Sequence, residues 1–401
     1  MRQPGCRTLI RTMMLAMASA HCLGQTAGAL DQQRQTALAL EQQGKNSEAE
    51  AAWRIYLKTH PSNPEPYAHL GLLEARQEHY KEAVPLYRKA LALGPKIPGL
   101  QLNLGLALFK GGDLKQSIQV FAPLLKSQPA DSPQRQQLAT LIGMAHYGLG
   151  EYAEASPYLK ESAARDAQNL QLRLALAHSC LWSKQYQCVL DTYREILTLN
   201  AESAEADMLA GEAEDELKNH RGAIEQFRAA VKADPRQPDV HFGLGYLLWG
   251  DRQYTEAASE FQAELANNPN HVQAIIYLGD TQMQLNHPEA ARALLENALR
   301  IDAGRELAHL DLGILYADAG RQEDALREMK EAVRLAPEDV SPHWRLARLY
   351  RSMGKKDEAK AEFDKASSIT KAADNALIDK MDGAHASPPK ASQPLAAPPE
   401  K

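Results

Sequence analysis

Four cysteines in 401 residues are too few for a fold held together by disulfides. Cys6 and Cys22 lie near the N-terminus, so Cys180 and Cys188 alone fall in the body of the chain. Aromatic residues make up 6% of the sequence, and no run approaches the ~20 apolar residues that a membrane-spanning helix needs. Basic residues are not in excess. The formal net charge is -6 and no long basic run occurs, which argues against a nucleic-acid partner. Catalytic signatures are missing too: there is no nucleophile elbow, no His-Glu-x-x-His and no kinase set. The glycines of "GLGYLLWG" do not follow a strand, as a phosphate loop would. Thirteen histidines are scattered along the chain, and none makes a ligand pair at helical spacing with Cys or a carboxylate. Neither a metal nor a cofactor is therefore expected.

What is plentiful is Ala, Leu, Glu, Gln and Lys, a helix-forming mixture. The N-terminus stands apart. Arg2, Arg7 and Arg11 lead into the short apolar stretch "MMLAMASA" (13–20), where Ala18-Ser19-Ala20 offers small residues for cleavage. Residues 1–29 therefore read as a signal peptide, with cleavage there or nearer "TAGA" (26–29). His21 precedes Cys22 where a lipid-modified cysteine needs a small residue, which weighs against a lipoprotein. The expected location is exported, periplasmic or secreted; the alternative is a cytoplasmic protein with an unstructured leader.

The chain repeats itself. "GLGYLLWGDRQYTEAASEFQAELANNP" (243–269) aligns with "DLGILYADAGRQEDALREMKEAVRLAP" (311–337) at an offset of 68, twice a period of 34. Units start at 30, 64, 98, 136, 170, 204, 238, 272, 306 and 340, with one four-residue break, "DSPQ" (132–135). Gly or Ala holds the eighth place of every unit, as in Gly71, Gly105, Ala177 and Gly245. Ala, Ser or Val holds the twentieth, as in Ala83, Ser117 and Val189. An aromatic or large apolar residue holds place 24, as in Trp53, Tyr87, Phe121 and Phe261. Pro closes most units, and Gly44, Gly112, Gly150, Gly320 and Gly354 mark turns inside them. Each unit thus reads as two antiparallel helices that approach closely at the small residues. One hairpin cannot bury its apolar face alone, so neighbours must stack.

This pattern resembles the tetratricopeptide repeat family over roughly 30–373. The resemblance implies an all-α fold: a right-handed superhelical solenoid of ten helical hairpins with a concave inner surface. It implies no catalytic activity, since most relatives are binding scaffolds. Residues 374–382 are expected to form a short helix capping the last unit, and the Pro/Ala-rich tail 383–401 has little to bury.

A surface helix has one apolar face, yet "HFGLGYLLWGDRQY" (241–254) has two. Leu244, Gly245 and Leu248 face the partner helices. Phe242, Tyr246 and Trp249 fall on the second side, among places two, five, nine and twelve. In the resembled family that side of the first helix lines the groove. The candidate groove residues are Phe109, Met144, Tyr147, His178, Trp182, Met208, Glu212, Asp215, Phe242, Tyr246, Trp249, Met283, Trp344 and Arg348. Leu174, Leu181, Ile276 and Leu310 fall on the same side. The groove is then apolar and aromatic, with an acidic patch from Glu205 to Glu216 and a basic end at Arg348 and Arg351. Such a face invites a protein segment. Tighter coiling, in which adjacent first helices cover one another, is the other reading. The acidic patch would bind a cation or a basic peptide, or else is a solvated face. The Lys and Asn clamp with which some relatives hold a C-terminal carboxylate has no counterpart, because the matching places carry Leu, Phe, Met and Glu. Cys180 and Cys188 flank a turn and either form a bridge or stay as two thiols.

The expected function is a non-enzymatic protein-binding scaffold of the cell envelope. A self-associating homo-oligomer is the alternative. An accessory subunit of a glycosyltransferase or of a secretion assembly is a more remote one.

Overall fold

A computed structural model describes residues 32–385. Among these residues there are helices and no strand. The leader expected at 1–29 and residues 386–401 of the expected tail lie outside them. No described helix is long and apolar enough to cross a membrane.

The chain divides after Asp234 into two compact bodies. The first holds α1 (Gln32–Gln42), α2 (Asn46–Thr59), α3 (Pro64–Arg76), α4 (Tyr80–Leu93), α5 (Leu100–Lys110), α6 (Leu114–Ser127), α7 (Pro133–Gly148), α8 (Tyr152–Arg165), α9 (Leu170–Trp182), α10 (Tyr186–Leu199), α11 (Ala204–Glu216) and α12 (His220–Ala233). The second holds α13 (Val240–Gly250), α14 (Tyr254–Asn267), α15 (Val272–Gln284), α16 (Pro288–Ile301), α17 (Glu306–Asp318), α18 (Gln322–Leu335), α19 (Val340–Ser352) and α20 (Lys356–His385). The odd-numbered helix of each pair packs on its even-numbered partner; in the first body α3 also touches α5 and α9 touches α7 and α11, and in the second α13, α15, α17 and α19 touch in succession. Residues 374–382 do not form a separate cap. They continue α20, because no Gly or Pro interrupts the helix after Gly354 until Gly383.

Small residues fix the spacing inside each pair. Place twenty is fully buried from Ala49 to Ala325. A Cβ on Gly105 would lie 2.3 Å from the Phe121 ring, and one on Gly245 would lie 2.8 Å from the Phe261 ring. The bulky residue at place 24 therefore sits directly on the bare backbone of its partner helix.

The turn between the two helices of a pair needs a left-handed residue at place fifteen. Gly44, Gly112, Gly150, Gly320 and Gly354 supply it without steric cost. Glu78, Lys184, Lys218, Arg252 and Asn286 adopt the same positive φ in the other five units. Side chains cap several odd-numbered helices: the oxygens of Asn63, Ser132, Asn169, Ser203 and Asp339 each accept a first-turn backbone N–H.

The second body carries a repeated polar tie. His241, His309 and His343 hold the fourth place of their units, and Nδ1 of each lies 2.6, 2.7 and 2.5 Å from Glu260, Glu328 and Glu362 respectively. Nε2 of His309 and of His343 faces a carbonyl at the end of the preceding unit, on Ala303 and Pro337. At His309, acceptors at both nitrogens are best satisfied by the imidazolium cation. The hydrogen bond to Glu328 raises the His309 pKa, against the effect of burial.

Candidate functional site

On α13, Phe242, Tyr246 and Trp249 share one side, as a 3.6-residue period requires. Tyr277, on the neighbouring α15, stands among them. Its ring centroid is 6.0 Å from Phe242, 5.3 Å from Tyr246 and 5.2 Å from Trp249, each edge-on. Tyr246 and Trp249 are stacked at 6.1 Å. Phe242 also stacks on His271 at 4.9 Å and leans on the core ring Phe261. The outcome is graded: Phe242 and Trp249 are half-buried, while Tyr246 is 43% exposed. The neighbouring first helix covers part of the second apolar face and leaves the rest open. Ile276 and Leu310, expected on that face, are buried instead, because adjacent odd-numbered helices pack close enough to enclose them.

Carboxylates gather at the rim of these rings. The Trp249 indole N–H donates to Asp280. Asp311, on α17, is 4% exposed, and its Oδ2 has no hydrogen-bond partner. Burial pushes its pKa well above the usual carboxylate range; Asp280 adds to this and Arg345 opposes it. The Tyr277 phenol is pushed up to about 12 by burial and by Tyr246, Asp280, Asp311 and Glu306. Met283 is half-buried against the core of this body. At its far end Trp344 is 44% exposed, with the Arg348 guanidinium 5.0 Å from its centroid.

The first body has its own ring cluster. Tyr147 lies 6.4 Å from His178 and 5.9 Å from Tyr152, and Tyr152 stacks on Trp182 at 6.1 Å. Trp182 is 64% exposed. Two residues before it, Cys180 is bonded to Cys188, with Cα atoms 5.8 Å apart, so a disulfide closes the α9–α10 turn. Phe109, Met144 and Met208 are half-buried. Leu174 and Leu181, expected on the open side, are buried in the core between α9 and α11. The acidic stretch is divided among local partners. Glu205 pairs with His178 at 3.0 Å, Asp215 with His220 at 2.7 Å, and Glu216 accepts from the Tyr186 hydroxyl. Glu212 is exposed.

Asp239, Glu264 and His271 bring three ligand-type atoms within 4.8 Å of one another, a grouping the sequence spacing does not reveal. The hydrogen bonds assign them to structure. His271 Nδ1 accepts the Ala274 N–H and caps α15, so its proton sits on Nε2, which donates to Asp239 at 2.8 Å. A metal on Nε2 would need an imidazolate. Glu264 accepts the Phe242 N–H.

Sequence reasoning missed Tyr277, Tyr152 and Asp311. Tyr277 and Asp311 both hold place six of their units, one step beyond the side assigned to the groove. An acidic residue in the middle of the apolar run "LAHLDLGILY" (307–316) was the available signal.

Two tetratricopeptide repeat family models match the chain. One covers residues 34–98, 190–238 and 209–272; the other covers 74–142, 248–312 and 316–376. Among curated proteins, the chain is 23% identical to "BBSome complex member BBS4" of Bos taurus, over 66% of this chain and 49% of that protein. It is 27% identical to "Cellulose synthase operon protein C" of Xanthomonas axonopodis pv. citri, over 78% of this chain and 18% of that protein. The chain thus spans half or less of the length of these relatives. Among solved structures, "Crystal structure of APC/C hetero-tetramer Cut9-Hcn1" matches with a TM-score of 0.44 at 12% identity, over 91% of this chain and 90% of that one. The repeat register, the small-on-bulky packing of each helix pair and the two family matches lead to one conclusion: the chain belongs to the tetratricopeptide repeat family.

Proposed function

We propose that this protein is a non-enzymatic scaffold that holds a protein segment against the odd-numbered helices of its bodies. One observation carries the reading. Four rings converge on α13 and α15, and Tyr246 among them stays 43% exposed. Exposed aromatic patches of this kind mark binding surfaces, and a rigid ring loses little entropy when a partner covers it. Binding of protein segments is general in the family. The basic, apolar and small-residue succession in residues 1–29 supports export to the cell envelope.

The test is affinity capture from an envelope fraction with the full chain, alongside Tyr246→Ala and Trp344→Ala. Both side chains are exposed, so both variants should fold. Tyr246→Ala should lower the yield of a specific partner about tenfold. Equal yields from all three chains would contradict the proposal. Cell fractionation tests export separately: a mature protein shortened at its N-terminus should appear outside the cytoplasm.

A further inference from the structure

We propose, resting on that reading, that the segment bound on the second body inserts a lysine or arginine side chain over Tyr246 and Trp249, toward Asp280. The local charge favours a cation. Tyr277, in the middle of the ring cluster, feels Asp280, Asp311 and Glu306 together. Asp311, on α17, has one carboxylate oxygen buried and without a hydrogen-bond partner, with Arg345 as its nearby opposite charge. Asp280 places a carboxylate at the patch, whose floor is made of rings.

A basic side chain suits that combination. An ammonium or guanidinium is attracted to the face of Trp or Tyr, and the nearby low-dielectric interior strengthens the attraction. The indole N–H bond to Asp280 fixes a carboxylate at the edge of the Trp249 ring. A cation resting on the ring face therefore meets that carboxylate as well. The same body uses this arrangement elsewhere with its own residues. Arg321 lies 4.3 Å from the Tyr316 centroid and Arg348 lies 5.0 Å from that of Trp344. Two further cation–ring contacts in this body place Arg351 5.7 Å from the Phe363 centroid and Lys355 5.9 Å from that of Tyr350.

The test selects random linear peptides on the full chain and on Asp280→Asn. Asparagine keeps an acceptor for the Trp249 indole, so the substitution removes charge while leaving the ring in place. Peptides selected on the unmodified chain should carry Lys or Arg at one fixed position. A synthetic selected peptide should bind Asp280→Asn about tenfold more weakly. Replacing its basic residue by norleucine should cost a similar factor, and the two changes together no more than either alone. Selected peptides that bind through apolar or acidic residues only, or that bind Asp280→Asn equally well, would overturn the inference and leave the scaffold reading standing. No selection by either chain would sink both. If Asp280→Asn loses its helical circular dichroism, Tyr246→Leu serves in its place and should show the same loss of preference for basic peptides.

Discussion

The two ring clusters contain similar side chains and present them differently. In the first body Trp182 stands at the end of α9, stacked on Tyr152 and 64% exposed. In the second, Trp249 stands one place earlier in its unit, locked between Tyr246 and Tyr277 with its indole tied to Asp280. One residue of register turns a side chain by about 100° on a helix. At place twelve the indole meets the next first helix; at place thirteen it meets the preceding second helix. The second body therefore offers a rigid platform of rings, and the first a single projecting ring beside a disulfide. The packing that builds the helix pairs is alike in both bodies. Identity of the core and divergence of the open face are set by different places in one repeat.

Substitutions can break this distinction between core and face. The largest effect should come from Phe261→Ala, which opens a cavity beneath Gly245 in the second body. A loss of ~3–5 kcal/mol is expected in urea unfolding. Tyr246→Ala, on the same cluster but open to solvent, should stay within ~0.5 kcal/mol of the parent. If the two cost the same, the cluster is core and the comparison fails. Next in size is replacement of both Cys180 and Cys188 by Ser. It should cost ~2–3 kcal/mol by the chain-entropy argument and affect only the unfolding of the first body.

A charge substitution sharpens the comparison from the other side. Asp311→Asn should stabilise the second body by ~1–2 kcal/mol at pH 7, because it removes a carboxylate that is costly to bury ionised. The sign follows from the raised native pKa. A carboxyl whose folded pKa exceeds its unfolded one contributes stability that is complete below the unfolded value of about 3.9 and is lost as pH rises through the folded value. The advantage of Asn should therefore shrink toward pH 4. The smallest effect concerns His309, whose folded pKa is raised by Glu328. Its contribution is complete below about pH 6.5 and is lost as pH rises through the higher folded value. Glu328→Gln should cost ~1 kcal/mol at pH 6 and progressively less above it, read from thermal melts at each pH.

The repeat was legible because its constraints are steric and recur. A Gly or Ala under a bulky residue leaves a mark every 34 positions, from Gly71 under Tyr87 to Gly313 under Met329. The turn at place fifteen was legible in only half of the units. Gly announces a left-handed residue at Gly44 or Gly320, but Lys184, Lys218 and Arg252 take the same conformation with no compositional hint. The open face was the least legible part. Phe242, Tyr246 and Trp249 could be placed on one side of a helix, yet their exposure depends on Tyr277 from the next unit. Leu174, Leu181, Ile276 and Leu310 share that nominal side and are buried, since coverage is decided by the distance between neighbouring first helices. Ties such as His309 to Glu328, nineteen residues apart, escape any search limited to helical spacing.

Oxidative footprinting of the dilute purified chain, with mass spectrometry resolving each residue, tests most directly whether the rings of α13 are left for a partner. Tyr246 should be modified much faster than the buried ring of Tyr87, at a rate independent of chain concentration, and should become protected when a selected peptide is added. Slow modification of Tyr246 in the isolated chain, or a rate unchanged by the bound peptide, would contradict the account.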